Sequence, residues 1–552
     1  MDSFKLLKRR TTDLLHSLPQ SLPAMPAMPT MPTLPDMPTI KNPMAGRTAA
    51  QMKATWEKIA VPPVPRSSPS ANVVAGTVYI FGGETGSAHG PDNAMHAVTL
   101  ASSGAQADYF AIKAKAAVPS STTAAASSAT SKEDTKGKSP ATQPELAADQ
   151  LGSIPATRVG HASAVIGHRI FLFGGRQGGG GDGSMAPLDE GGRVWVFDTR
   201  THLWSFLDPV FSPGAAATTV AVPPPRSHHA AVATDKPRDF NTAAAQHRQA
   251  QKKDQTWREW ATGADAEDEI VGTVAERATD ADAEGYGTLI IHGGCLADGS
   301  RASDVWAFDV HSRAWQRLPD APGTPLGAPA LALSRSRLFR FGGSTSINED
   351  EDEEGGQLDY LDLGVDSFDD EFSAGEVSIT ARGGWQSLIR GKENVGYKEV
   401  DTATNPLTRG DGDSWPGART AAALEAITVG GGREFLVLMF GERVDTTTST
   451  SNKFWDDVWA FQVPAQGLSP ASVADTVLSA VGRKSGEGRW VRVATTPYDD
   501  EDDASLDGPG ARGYMASATL GDLEESGIVI WGGLSAEGGN QRLGEGWILR
   551  LG

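Results

Sequence analysis

The sequence contains a single cysteine among its 552 residues, Cys295, so no disulfide can form within the chain. Disulfides are common in secreted proteins and rare in reducing compartments, and their exclusion here favours the cell interior. No apolar stretch approaches the roughly 18 residues of a membrane-spanning helix. Residues 1–20 also lack the apolar core of a signal peptide. These absences predict a cytoplasmic protein, with the nucleus as the alternative, and no transmembrane segment.

Positive charge is also scarce. The chain has 49 lysines and arginines against 69 aspartates and glutamates, a formal net charge of −20. Nucleic-acid binding needs surplus cationic side chains to neutralise phosphates, so the charge argues against nucleic acid and favours protein partners. The acidic runs at residues 349–354 and 499–503 are interpreted as solvated loops, with contact to a basic partner as the alternative.

The most prominent feature of the sequence is a repeat. Six times, a short apolar run ends in a glycine pair or a close variant of one, at residues 78–83, 170–175, 289–294, 338–343, 436–442 and 528–533. Glycines at the end of a strand allow positive φ and let a neighbouring sheet approach closely. Recurrence at a period of roughly fifty residues predicts an array of similar units.

Each unit contains more than the glycines. An arginine opens a run of small residues upstream of most glycine pairs, which predicts an innermost strand. Downstream, Val194–Asp198 and Val305–Asp309 have the pattern of a third strand containing a tryptophan, and Trp204 and Trp315 mark a fourth. Tryptophan buries a large area and is suited to packing between sheets. Four strands per unit are therefore expected.

This pattern, from arginine through the glycine pair to spaced tryptophans, resembles the kelch-repeat family of β-propellers, within the galactose oxidase-like central propeller superfamily. The resemblance covers residues 54–552. It implies an all-β fold, a six-bladed kelch-type β-propeller with four antiparallel strands per blade. The last unit ends one strand short, and residues 54–59 have the pattern of the missing strand. The N-terminal strand is therefore predicted to close the last blade.

The domain prediction is a disordered segment at residues 1–50, followed by the propeller at residues 51–552. Low-complexity insertions are predicted near residues 115–150, 235–285, 345–356 and 464–488. In the first segment, proline recurs at every third residue from Pro23 to Pro38, which fits polyproline II. This tract is interpreted as a spacer, with docking into an aromatic groove as the alternative. Residues 1–18 form a basic amphipathic pattern that can contact an anionic membrane or fray.

The first strands of a propeller line its central channel, so the repeat arginines are expected to converge on one mouth. In kelch relatives, arginines at such positions bind acidic peptide side chains, and in the plant specifier proteins they help to hold a sulfated substrate. A guanidinium group suits such anions because its parallel N–H donors match two oxygens. The structural alternative is that these arginines bond loop carbonyls of the adjacent blade. The predicted site comprises Arg66, Arg158, His161, Arg226, His228, His229, Arg419, Arg512 and Tyr514, and blade 4 has Leu326 near the place of the arginine.

The leading hypothesis is a protein–protein interaction scaffold without a cofactor, presenting loops and an arginine-lined mouth to an acidic peptide or protein. The alternative is a small-molecule enzyme of the specifier or lyase kind that uses the same mouth with a metal. A specifier-like set would be Glu84, His89, Asp92 and His96, but the spacing fits poorly. His96 stands where other blades have a tryptophan and is predicted to be a core residue. No catalytic residue is predicted.

Overall fold

The computed structural model describes residues 52–86, 92–101, 106–117, 152–178, 186–210, 222–237, 285–345, 356–367, 377–388, 415–430, 432–444, 453–464, 488–497, 508–521, 527–536 and 540–551. The chain divides into two compact units, residues 1–50 and 51–552, and all described residues lie in the second. The predicted disordered segment, most of each predicted insertion, both acidic runs and His89 fall outside the described residues. Among those described, no helix is long and apolar enough to span a membrane.

The second unit is a six-bladed β-propeller, as predicted. Each blade is an antiparallel sheet whose first strand is innermost and whose fourth is outermost. Blade 1 has the strands Ser70–Val74, Thr77–Phe81, Met95–Thr99 and Asp108–Ile112. Blade 2 has Ala162–Ile166, Arg169–Phe173, Val194–Asp198 and Leu203–Leu207. Blade 3 has Ala230–Thr234, Thr288–His292, Val305–Asp309 and Ala314–Leu318.

The remaining blades follow the same order, with additions at their outer edges. Blade 4 has Ala330–Ser334, Arg337–Phe341, Leu358–Ser367 and Gln386–Leu388, and its long third strand also pairs with Val377–Ala381. Blade 5 has Ala423–Val429, Arg433–Met439, Val458–Gln462 and Trp490–Arg492. Blade 6 has Ala516–Thr519, Gly527–Trp531, Gly546–Leu551 and Lys53–Lys58, with Ala494–Pro497 added in parallel.

The N-terminal strand closes the ring, which confirms the prediction. Lys53–Lys58 pairs antiparallel with Gly546–Leu551, and Trp56 lies opposite Leu549. The Trp56 side chain is only 4% exposed and packs in a cluster that joins blades 5 and 6. The two ends of the propeller are therefore held by a strand pairing and by a shared core.

The hydrophobic core lies between blades. Phe171 and Phe173 of blade 2, for example, share one cluster with Leu289, Trp306 and Trp315 of blade 3. A sheet with two apolar faces must cover both, and a ring of sheets does so because each blade packs against two neighbours. This packing explains why the second and third strands are apolar at nearly every position.

The glycine pairs connect neighbouring blades through the backbone. In each blade, the second residue of the pair donates its backbone N–H to a carbonyl of the next blade. The acceptor is the carbonyl of the residue at the arginine position. The six bonds are Gly83 to Arg158, Gly175 to Arg226, Gly294 to Leu326, Gly343 to Arg419, Gly441 to Arg512 and Gly533 to Arg66. A Cβ at Gly174, which has a φ of +61°, would lie 2.7 Å from the Arg226 carbonyl oxygen. The close approach of the blades therefore requires glycine there.

Candidate functional site

The propeller has two faces, named here by the connections they carry. The loop face carries the segments that lead from each arginine position into a first strand, together with the residues directly after each glycine pair. Short two-strand ladders join these parts: Arg158–Val159 with Arg176–Gln177, Arg226–Ser227 with Cys295–Leu296, Arg419–Thr420 with Glu442–Arg443, and Leu534–Ser535 with Gln541–Arg542. The turn face carries the tight turns between first and second strands, such as Ala75-Gly76. The predicted site belongs to the loop face.

The repeat arginines lie inside the blades. Arg158 is fully buried, and its Nη1 donates to the carbonyl of Gly174 at 2.9 Å. The same guanidinium group forms a two-point ion pair with Glu190, at 2.9 and 2.8 Å. Glu190 also accepts a hydrogen bond from the indole of Trp195. The guanidinium therefore fixes the glycine loop to the third strand of its own blade.

The other repeat arginines make the same kind of contact, and each bonds the carbonyl at its own blade's glycine pair. Their carboxylate partners are Asp92 for Arg66, Asp304 for Arg226, Asp457 for Arg419 and Glu545 for Arg512. Blade 4 has Leu326 at the arginine position and uses a different pair, Arg340 with Asp359, between its second and third strands. The contact with the adjacent blade is made by main-chain atoms at the arginine position and not by the guanidinium groups, which differs from the structural alternative drawn from the sequence.

Seven of the nine predicted site residues are buried: Arg66, Arg158, His161, Arg226, His229, Arg419 and Arg512. Burial, with a contribution from Arg158, lowers the pKa of His161 to about 3, so the imidazole is neutral. The structure brings only His228 and Tyr514 to the accessible mouth. Binding of a partner by the buried arginines stays a prediction, and their guanidinium donors are engaged within the blades.

The mouth is built from a closed ring of six backbone hydrogen bonds. One residue per blade takes part, two positions after the arginine position: Ser68, Gly160, His228, Ala328, Ala421 and Tyr514. The N–H of each donates to the carbonyl of its equivalent in the preceding blade, and Ser68 closes the circle by donating to Tyr514. All six have positive φ, between 47° and 64°. Five of them are not glycine, so the ring holds a conformation that these residues adopt rarely on their own.

Two side chains fill the centre of this ring. His228 and Tyr514 stand three positions apart among the six, on opposite sides, and their rings meet edge to face with centroids 6.4 Å apart. The Tyr514 hydroxyl donates to Glu442 at 2.6 Å. Burial and the neighbouring Glu442 raise the pKa of Tyr514, and burial lowers the pKa of His228 to about 4. Both rings are therefore neutral near pH 7.

A second set of residues surrounds the mouth and was missed in the sequence analysis. The residues directly after the glycine pairs occupy equivalent positions: Glu84, Arg176, Cys295, Ser344, Glu442 and Leu534. Two of these acids are paired, Glu84 with Arg542 at 3.0 Å and Glu442 with Lys453 at 2.9 Å. The sequence could have indicated these residues by their position, because each one directly follows a glycine pair.

Two arginines lie next to the backbone ring: Arg176 of this set, and Arg301, which forms a bridge with Cys295. Arg176 pairs with Val159, next to ring residue Gly160, and a Cβ at Gly327, next to ring residue Ala328, would lie 2.8 Å from Arg301 Nε. Both arginines help to lower the pKa of His228. Their Nε atoms have no hydrogen-bond partner within the described part of the chain. Beside Arg301 lies Cys295, whose thiol pKa is raised by burial. Blades 2 and 3 thus give the mouth a cationic side.

The residues considered for a metal are arranged differently. Asp92 and His96 both contact the Arg66 guanidinium, at 3.0 Å for Asp92. His96 is buried and stacks on Tyr109, which agrees with its predicted place in the core. Across the described ranges, no group of three histidine, cysteine, aspartate or glutamate side chains is placed to hold a metal ion.

Comparisons with known proteins bear on the fold. Residues 157–210 match a family model described as the kelch motif, and these residues correspond to blade 2. No curated protein gives a significant match. Among solved structures, one titled "Structure of YjhT" aligns with 12% sequence identity and a TM-score of 0.42, covering 88% of this chain and 95% of that chain. The kelch motif in blade 2, together with six blades built on one plan, confirms the resemblance to kelch-repeat β-propellers that the sequence predicted.

Proposed function

We propose that this propeller is a protein-interaction scaffold whose loop-face mouth receives an acidic segment of a partner protein. The observation that carries the proposal is the pair Arg176 and Arg301, which lie beside the backbone ring and both act on His228. The chain as a whole has a net charge of −20. A cationic group in this setting is selective, because the rest of the surface repels an acidic segment.

The neighbouring groups define how such a segment would bind. Two carboxylates of the partner would meet the forks of Arg176 and Arg301, since a guanidinium group bonds a carboxylate through two parallel donors. The neutral rings of His228 and Tyr514, packed edge to face, offer apolar contact surface between the two arginines. Aromatic and arginine side chains of this kind are enriched at the energetic centres of interfaces.

The test compares two double variants of the full-length protein in affinity capture from its native cell extract. Arg176→Glu/Arg301→Glu reverses the charge of the mouth. Arg313→Glu/Arg433→Glu makes the same change in net charge at two exposed arginines away from it. Captured proteins are identified by mass spectrometry, and the bound segment is mapped with synthetic peptides of each partner.

We expect the mouth variant to lose its partners and the control to keep them. The mapped peptide should be acidic, and its affinity should fall as salt rises from 50 to 300 mM, since exposed charges are screened over about 10 Å at 0.1 M. Equal capture by both variants, or a mapped segment without acidic residues, would remove the mouth as the binding site.

A further inference from the structure

The central channel behind the ring forms a cavity of about 1000 Å³. It is lined by the first strands of all six blades, and its lining reaches the exposed turns at Ala75, Gly167 and Gly521 on the turn face. At the other end, the backbone ring with His228 and Tyr514 narrows it. The cavity is therefore a pocket entered from the turn face, opposite the proposed partner site, and its volume is at the upper end of that of small-molecule sites.

Two pairs of polar side chains on the first strands line this pocket. The Ser517 hydroxyl donates to Glu425 at 2.6 Å between blades 5 and 6. The Asn72 amide donates to Ser163 at 2.6 Å between blades 1 and 2. Asn72 and Glu425 are each the third residue of a first strand, and Ser163 and Ser517 are each the second residue of the next blade's first strand. The two pairs are thus equivalent in the sixfold arrangement.

The same positions at the other blade junctions carry apolar side chains. Ala164 and Ala231 meet between blades 2 and 3, Val232 and Leu331 between blades 3 and 4, and Ala332 and Leu424 between blades 4 and 5. Leu333 adds further apolar surface to the lining. Ala518 and Ala71 occupy these positions between blades 6 and 1. The pocket therefore has two polar junctions, and the first strands of blades 3 and 4 give it an apolar wall.

Glu425 has no cationic partner within the described ranges; its one described contact is Ser517. A buried carboxylate without a counter-charge is costly, and a bound cation would supply that charge. The other titratable groups that line the pocket are His168 and Asp235 at its opening and the buried Tyr286. We propose that the channel binds a small organic amine, with its ammonium group on Glu425 and Ser517 and its apolar body against Val232, Leu331 and Leu333.

Protonation of Glu425 should set the strength of this binding. Burial raises the pKa of Glu425 to about 7, so the carboxyl is partly protonated at neutral pH. An ammonium group binds the ionised form, so affinity should increase about tenfold from pH 6 to pH 8, as the ionised fraction rises. The increase should persist in His168→Gln, which removes the histidine that lines the opening of the pocket.

The experiment is calorimetric titration of the full-length protein with phenethylamine, beside 3-phenyl-1-propanol as a neutral molecule of similar size. At pH 8 we expect saturable binding of the amine and at least tenfold weaker binding of the alcohol. Glu425→Gln keeps the shape and the Ser517 contact but removes the charge, and it should weaken amine binding at least tenfold. Asn72→Asp in the Glu425→Gln background places a carboxylate at the equivalent junction and should restore binding.

The possible results separate clearly. Absence of saturable amine binding to the wild type at pH 8 would overturn the proposal. Equal affinity for the alcohol and the amine, or unchanged binding by Glu425→Gln, would do the same, because the carboxylate would then have no part in recognition. Recovery in the double variant would show that a carboxylate at either polar junction suffices. The loop-face variants leave this pocket intact and serve as folded controls.

Discussion

Each buried repeat arginine has a carboxylate partner. Removing that carboxylate should destabilise the protein far more where the carboxylate is buried than where it is exposed. Arg226 is fully buried, and its two-point partner Asp304 has a side chain that is only 14% exposed. Arg66 in blade 1 is also buried, but its partner Asp92 is 51% exposed. Asp304→Asn and Asp92→Asn therefore make the same chemical change in equivalent ion pairs that differ in burial.

The expected costs follow from that difference. Asp304→Asn leaves the Arg226 charge uncompensated in the interior, which costs about 3 to 5 kcal/mol. Asp92→Asn removes a solvated carboxylate, which should lower the free energy of unfolding by about 0.2 to 1 kcal/mol. The variant Arg226→Met/Asp304→Leu removes both charges at blade 3 and should recover most of the stability, because the penalty arises from an isolated buried charge.

Urea unfolding followed by far-UV circular dichroism measures these differences. The slope of the transition should be unchanged in all variants, so the shift in midpoint reports stability alone. If Asp304→Asn and Asp92→Asn shift the midpoint equally, burial of the ion pair does not set its contribution. If the double variant is as unstable as Asp304→Asn, the loss comes from packing and the charge argument is wrong.

Three further outcomes can be measured in the same assay. Gly174→Ala should lower the free energy of unfolding more than Gly191→Ala does, although both glycines have φ near +60°. The reason is that a Cβ at Gly174 meets the Arg226 carbonyl, whereas one at Gly191 meets nothing within 4 Å. Equal losses would show that φ alone matters. Trp56→Ala should cost about 3 to 5 kcal/mol, because it empties the core at ring closure, and a loss below 1 kcal/mol would contradict that role. The folded-state pKa of Glu425 lies above its unfolded value, so its stability contribution is complete below about pH 4.5 and is lost as pH rises through 7. Glu425→Gln should therefore have a free energy of unfolding about 3 kcal/mol higher than wild type at pH 8, and equal to it near pH 4.

The blades could be predicted because most of their strand pairings join segments that are close in the sequence. Each blade's strands follow one another along the chain, so its apolar runs, glycine pair and tryptophans all appear within one repeat. Closure by Lys53–Lys58 was also accessible, since a ring of repeats that ends one strand short needs a strand from the other end. Sequence was sufficient where one physical requirement recurs six times.

The surroundings of the arginines could not be predicted in the same way. Arg226 meets Asp304 across 78 positions of the chain, and Arg158 meets Glu190 across 32. A sequence shows a row of arginines but not whether each is neutralised inside its own blade. The arginine positions predicted a concentrated charge at the mouth, whereas the arginines beside the ring are Arg176 and Arg301, which do not recur in every repeat.

This contrast suggests where function resides in a symmetric propeller. Positions that serve the fold are occupied in the same way in nearly every blade, and where one is lost another supplies the same chemistry, as Arg340 does in the blade that has Leu326. Ligands and partners are not sixfold symmetric, so recognition has to come from residues that break the repeat. In the two proposals, these residues are Arg176 and Arg301 at the mouth and Glu425 in the channel. Replacing Glu425 with alanine, the residue at the equivalent place in three other blades, should accordingly leave the propeller folded while abolishing amine binding, and a variant that unfolded would show that the carboxyl serves the fold.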